Sequence, residues 1–305
     1  MSLIIIIFIN YLLIITLMLH KLMNKYNRFS LFRYLYHGFF RLYCDHVSDY
    51  VMISFPKSGH TWLRVMLAKA FSLHYGLSSL NLDLILMAKE KKGIPKIAIY
   101  HEISPLFSVN FSLKNKKFLG SYAESEKVFI RTPLKKKKII FLVRDPRDVV
   151  VSLFFHLTKR NNFYFRNEMS HFLKEPFSLT KILNYMNLWC KEMQRRPNEF
   201  LFIRYEDMKT NTAEQLRRVL DFLEINVSYD ILNEAVAFGS IDNMRKMEKC
   251  NLFADYRLQA KNPSDPESYK VRKAKVGGYT DYLNPQDLEY INLRISKELN
   301  SVFGY

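Results

Sequence analysis

The sequence predicts an α/β domain in which a parallel sheet carries helices on both faces. Four short apolar runs, 50–55, 96–100 (KIAIY), 139–143 (IIFLV) and 200–204 (FLFIR), are built largely from Ile, Val, Leu and Phe, as buried strands are. Segments of helical periodicity separate them, and that alternation closes a parallel sheet covered on both sides. At 305 residues and 49% hydrophobic, the chain is large enough to bury one full core. Lys57, His101, Arg144 and Tyr205 each follow one of these strands. Ligands of open α/β sheets bind at those carboxyl ends, so the four residues point to one shared site.

The N-terminal segment Leu3–Leu19 has no charged residue and is followed by His20, Lys21, Lys25 and Arg28. As a helix rising 1.5 Å per residue it spans about 26 Å, the short end of a transmembrane segment. It lacks the basic leader and small-residue cleavage site of a secretory signal, and the positive charges after it favour a cytoplasmic side there. The expectation is a single membrane anchor in residues 1–23, a linker over 24–48 and a catalytic domain over 49–305 on the cytoplasmic face. Translation from Met18 or Met23 would instead give a soluble cytoplasmic chain. The aromatic and basic residues of 22–48 suit a membrane interface or packing on the domain.

Val51–Phe71 (VMISFPKSGHTWLRVMLAKAF) is the centre of the chain. A β-branched run ends at Ser54-Phe55, and a helix follows whose Leu63, Met66, Leu67, Ala70 and Phe71 fall on one face. The turn between them, Pro56-Lys57-Ser58-Gly59-His60-Thr61, aims the unpaired N–H groups of the first helical turn at one spot. With the helix dipole and Lys57, that spot binds phosphate or sulfate. The turn is not a GxxxxGK[ST] loop. In 139–156 a strand runs into Arg144, then Asp145 as N-cap, Pro146 at the first helical position and Asp148 at the third. An arginine fixed there forks onto phosphate oxygens, with Ser152 two turns along the helix; the plainer alternative is a surface Arg144–Asp148 pair. The 178–193 stretch, with Trp189 and Cys190, predicts a helix lining or supporting the acceptor side. Thr212–Gln215 predicts a capping box opening a helix with Leu216, Val219, Leu220 and Leu223 inward.

Five segments in order resemble the sulfotransferase family. PKSGHTWL (56–63) is similar to its 5′-phosphosulfate-binding loop, usually PKSGTTWL, and IIFLVRDPRDVVVSLFFH (139–156) to its 3′-phosphate-binding segment. FIRYEDM (202–208) resembles its Tyr-Glu-Asp strand end, and NMRKMEKCN (243–251) and VRKAKVGGY (271–279) its C-terminal segments. The resemblance implies a P-loop-NTPase-like sheet, one catalytic domain, and transfer of a sulfuryl group from 3′-phosphoadenosine 5′-phosphosulfate (PAPS) to a hydroxyl or amine, with no metal required. It places Lys57, Ser58, Gly59, His60 and Thr61 on the phosphosulfate, with Lys57 also catalytic. Arg144, Ser152, Arg272 and Lys273 fall on the 3′-phosphate, and Trp62 and Tyr205 on the adenine. The family's general base follows the second strand, which makes His101 the first candidate and Glu102 the second. The supporting lysine and proline of the family's Lys-Thr-His-Leu-Pro are absent here. Ala274 stands where the family has glycine, and Tyr279 where it has tryptophan. His156 reads as helix surface or core.

The net charge of +17 suits an anionic ligand, yet the lysines fall in short runs (Lys89–Lys92, Lys135–Lys138) that read as solvated surface, no zinc-finger or RNA-recognition motif is present, and no nucleic-acid partner is expected. Three widely spaced cysteines, Cys44, Cys190 and Cys250, suggest neither a disulfide framework nor a zinc site. Two other functions share the strand–loop–helix: a nucleotide kinase or ATPase, and a non-catalytic polyanion-binding relative. The acceptor, whether small molecule, lipid or glycan, is not legible. Residues 75–130 and 157–200 are expected to shape its pocket.

Overall fold

The computed structural model describes residues 43–44, 46–100, 134, 137–160, 168–253, 258–260, 262 and 264–305. Four strands form one parallel sheet: β1 (Tyr50–Ile53), β2 (Ile97–Tyr100), β3 (Lys138–Val143) and β4 (Phe200–Arg204), in the order β2-β1-β3-β4. Each lies within a residue or two of the span its apolar run predicts. In the register, Ile53 is opposite Tyr100 on one side and Phe141 on the other, and Val143 is opposite Arg204. The carboxyl ends of all four strands therefore open on the same edge.

Helices α1 (His60–Tyr75) and α2 (Leu84–Glu90) lie between β1 and β2 in sequence. Between β3 and β4 come α3 (Pro146–Phe155), a π-helical turn at His156–Arg160, α4 (Met169–Lys174) and α5 (Leu179–Arg195). After β4 follow α6 (Tyr205–Thr210), α7 (Thr212–Phe222), α8 (Tyr229–Phe238), α9 (Ile241–Cys250) and α10 (Pro285–Glu298).

The strand period of two divides the core. Val51, Ile53, Ile139, Phe141 and Val143 face a cluster with α3, α4, α5 and α10. Tyr50, Met52, Ile140 and Leu142 face the opposite cluster with α1, α7, α8 and α9. Both faces are covered, which is why β1 is buried at every position and reads as an unbroken apolar run.

One expected cap is absent. Thr212 is the first residue of α7, not its N-cap, and its hydroxyl donates backward to the Met208 carbonyl at 2.7 Å. α6 ends only two residues earlier and supplies that carbonyl, so a local bond to the residue four positions back replaces the reciprocal Thr–Gln cap. The apolar face of α7 is as expected, with Leu216, Val219 and Leu220 buried. Among the described residues no helix is long and apolar enough to cross a membrane; the segment 3–19 and nearly all of the 24–48 linker lie outside them.

Trp189 on α5 is wholly buried, with its ring centroid 6.4 Å from those of Phe141 and Tyr185 and 6.3 Å from that of Phe200. Its indole N–H has no hydrogen-bond partner. Trp189→Ala is expected to cost about 3–5 kcal/mol in denaturant unfolding through the cavity it leaves. Trp189→Phe should cost clearly less, because it also removes the unpaired donor.

Candidate active site

β1 hands the chain through buried Ser54 and Phe55 to a turn in which Lys57 (φ 78°) and Gly59 (φ 101°) both take positive φ. Gly59 is the N-cap of α1 and brings no capping side chain, and the first turn holds no acidic residue. The amide donors and positive dipole end of α1 thus face the site available to an anion. Only glycine fits at 59: besides its φ, an added Cβ would stand 2.6 Å from Tyr205 Cδ2. Ser58 is buried beneath this turn. His60, also buried, pairs its Nε2 with Thr61 Oγ1 at 3.0 Å.

Arg144 leaves β3 into the middle of the site. Its Nη2 donates to the Lys275 carbonyl at 2.9 Å and lies 3.3 Å from Asp148 Oδ2, and its Nη1 is 3.4 Å from the Lys57 carbonyl. The guanidinium carbon sits 4.3 Å from the centroid of the Tyr205 ring. The Arg144–Asp148 pair is therefore real, but it is buried inside the site and not on the surface. As the sequence indicates, Asp145 caps α3 by accepting from the Arg147 N–H, with Pro146 at the first position. The Asp145 N–H itself donates to Glu206 Oε1 at 2.9 Å, so the Tyr-Glu-Asp segment fixes the turn that aims Arg144.

Trp62 and Tyr205 meet edge to face, their centroids 5.6 Å apart, and the Trp62 indole donates to the Gly239 carbonyl at 2.8 Å. Lys209 holds its ammonium 5.5 Å from the Trp62 ring centroid. Burial pushes the Tyr205 phenol up, with Arg144 opposing, and pulls the Lys209 ammonium down, with Arg144 adding to it. This is an aromatic platform with a preset orientation.

The fourth wall is the 270–278 loop. Asp148 accepts from the backbone N–H groups of Gly277 and Tyr279, both at 3.0 Å, which ties the loop to the start of α3. Arg272 pairs with Glu267 at 2.8 Å and stacks 4.4 Å from the Phe155 ring centroid. Lys273 and Lys275 both reach Asp281 at 3.2 Å. Ala274, the residue in the glycine position, has φ 50°.

These elements enclose one cavity. Of the site residues expected from sequence, Lys57, Gly59, His60, Thr61, Trp62, Arg144, Ser152, Tyr205, Arg272 and Lys273 line it, and Ser58 does not. His101 and Glu102 lie outside the described residues, though Tyr100 before them pairs with Ile53 at the same sheet edge. Asp148, Lys209, Met244 and Lys270 line the cavity without having been expected to. So does His156, which the sequence places on helix surface or in the core. The tight i, i+4 and i, i+8 spacing of Asp148, Ser152 and His156 was the available signal, since it puts all three on the side of α3 that carries Arg144. Trp189 and Cys190 pack into the core behind this wall as support.

Within the cavity, burial pushes the Lys57 ammonium well below its usual pKa; Lys270, Arg160 and Arg144 add to that, and Glu248 opposes it. Among the described residues no cluster of His, Cys, Asp or Glu side chains could hold a metal ion.

Residues 47–303 match the family model of the sulfotransferase domain. The chain belongs to that family. Cytosolic sulfotransferase 10 of Arabidopsis thaliana is 24% identical over 288 residues, covering 83% of this chain and 78% of the relative. Sulfotransferase 2A6 of Mus musculus is 24% identical over 255 residues, covering 79% and 80%. The fold is shared with mouse sulfotransferase SULT7A1 complexed with PAP, at a TM-score of 0.55, 19% identity, and 82% and 84% of the two chains. It is also shared with retinol dehydratase in complex with androsterone and inactive cofactor PAP, at 0.57, 17%, and 82% and 80%.

In this sulfotransferase the alanine at 274 takes up a left-handed conformation that disfavours a Cβ. Ala274→Gly is expected to raise stability by about 1 kcal/mol in thermal or denaturant unfolding. Gly59→Ala should lower it by about 2 kcal/mol or more, from combined backbone strain and the clash with Tyr205.

Proposed function

We propose that this sulfotransferase moves a sulfuryl group from PAPS to a hydroxyl or amine acceptor by in-line displacement. The observation that carries the reading is the convergence of an uncapped helix N-terminus, Lys57, Arg144, Ser152 and the Trp62–Tyr205 platform on one cavity. The residues fit such a donor. Arg144 lines the cavity, and its Nε is a buried donor without a hydrogen-bond partner. The 5′-phosphosulfate would be held by Lys57, His60, Thr61 and the amides of the first turn of α1. The 3′-phosphate would fall to Arg144 and Ser152, with Arg272 and Lys273 joining from the loop, and the adenine to Trp62 and Tyr205. The donor supplies an activated sulfuryl group on a phosphosulfate anhydride. Lys57 and the loop amides hold the negative charge that grows on the departing phosphate oxygen, an electrostatic contribution made by groups fixed in advance.

The proton of the acceptor is assigned to His101, with Glu102 as the second candidate. His101→Ala and Glu102→Ala, assayed separately once an acceptor is found, identify the base by which one abolishes turnover with donor binding unchanged. The anchor at 3–19 is proposed on its sequence alone and is tested by fractionating the full chain between membrane and soluble material.

Calorimetry with adenosine 3′,5′-bisphosphate, without metal, tests the donor site. Tight binding that is lost in Arg144→Ala is expected, and stronger binding of ATP with magnesium would replace this reading with a nucleotide kinase or ATPase. Lys57→Ala should reduce turnover by about 100- to 1000-fold.

The depressed Lys57 ammonium sets a pH dependence. Between its lowered folded value and the ordinary 10.5, the unfolded chain binds more protons than the folded one. The ligand-free protein should therefore gain stability from this group as pH rises through that window. An anion beside Lys57 restores its charge, so binding there should take up a proton, measured as a dependence of the binding enthalpy on buffer ionisation.

A further inference from the structure

The π-helical turn His156–Arg160 that follows α3 turns two residues to different tasks: His156 to the cavity wall and Arg160 into the protein. The Arg160 guanidinium is buried. Its Nη1 donates to Glu248 Oε1 at 3.0 Å and to the Ser268 carbonyl at 2.7 Å, and its Nη2 to the Gln259 carbonyl at 3.0 Å. Glu248, on the inner side of α9, is completely buried. Its carboxylate accepts from the backbone N–H of Lys270 at 2.6 Å and of Val271 at 3.0 Å. Buried Ser268 closes the turn just before, its hydroxyl bonding the carbonyls of Asn262 and Asp265. Among the described residues, both side chains, apart from their mutual pair, bond the backbone of the stretch from Gln259 to Val271, which enters the cavity at Lys270.

A buried ion pair is a poor source of stability, because desolvation offsets its attraction. What it gives here is direction. The Ser268 carbonyl at the end of a 3-10 turn, the Lys270 and Val271 amides just after it, and the Gln259 carbonyl before it are held by two side chains on separate helical elements. We propose that the Arg160–Glu248 pair is a positioning device that holds the 268–273 loop, with Lys270 and Arg272, over the cavity for an anionic ligand. The proposal rests on the donor-site reading above. The pair also borders the catalytic lysine electrically: among the groups acting on Lys57, Lys270, Arg160 and Arg144 push its pKa down and Glu248 holds it up.

The full chain, titrated with adenosine 3′,5′-bisphosphate, tests this. Glu248→Gln keeps the shape but offers one carbonyl oxygen where two amides and a guanidinium need acceptors. The double change Arg160→Met, Glu248→Met removes both charges together, leaves no lone buried charge, and serves if the single variant does not fold. Both are expected to melt above the assay temperature, to bind the bisphosphate about tenfold more weakly or worse, and to lose exchange protection at the Lys270 and Val271 amides. In Glu248→Gln the onset of proton uptake on binding should also move to lower pH, since the carboxylate no longer supports the Lys57 charge. A folded variant with a lowered Tm but wild-type affinity and proton uptake would make the pair merely structural and overturn the proposal. If the wild type itself does not bind the bisphosphate, the donor-site reading falls and the ligand role with it, while exchange at 270 and 271 still reports whether Glu248 pins the loop.

Discussion

The site depends on the placement of one guanidinium. Arg144 touches the phosphate-loop backbone at Lys57, the C-terminal loop at Lys275, the start of α3 at Asp148 and the ring of Tyr205. None of those four segments is adjacent in sequence to more than one of the others. Their meeting depends on the sheet order, which puts β3 between β1 and β4 so that Arg144 emerges between the phosphate loop and Tyr205. An always-charged, planar fork can bridge so many partners, whereas a lysine would deliver only a point charge.

Carboxylates do the complementary work. Asp148, Glu206 and Glu248 lie near a site built for anions, yet each is used to hold backbone N–H groups: of Gly277 and Tyr279, of Asp145, and of Lys270 and Val271. The acids build the frame in which the cations are displayed. Asp148 and Glu248 are buried against Arg144 and Arg160, and the half-buried Glu206 accepts from the Tyr305 hydroxyl.

Much of this was legible before any coordinates. The strands declared themselves because a sheet covered on both faces needs unbroken apolar runs, and the loop and Arg144 motifs were local enough to read directly. Asp145 and Pro146 announced the start of α3 by rules that involve only neighbours. The framing roles of Glu206 and Glu248 were not legible, since their partners lie 61 and at least 22 positions away in sequence. The expected cap at Thr212 failed for a different, local reason: the preceding helix ends so close to it that the carbonyl of Met208, one turn back, takes its hydroxyl. The departure at Ala274 was visible as an exception to a pattern, and its φ shows what glycine would have relieved.

The ion pairs of the 270–278 loop bear on how the site meets its ligand in salt solution. Lys270, Arg272, Lys273 and Lys275 carry four charges, and Glu267 and Asp281 offset two of them at short range. At a distance of a Debye length, about 8–10 Å at physiological ionic strength, the loop and its two carboxylates present roughly two net charges. The loop's own long-range pull on an approaching polyanion is thus about half of what its four cations would exert unpaired. At contact, an oxyanion would compete with Glu267 and Asp281 for the loop's forked and point-charge donors. On a chain of net charge +17, such a loop adds donors that act at contact while contributing a small share of the long-range field.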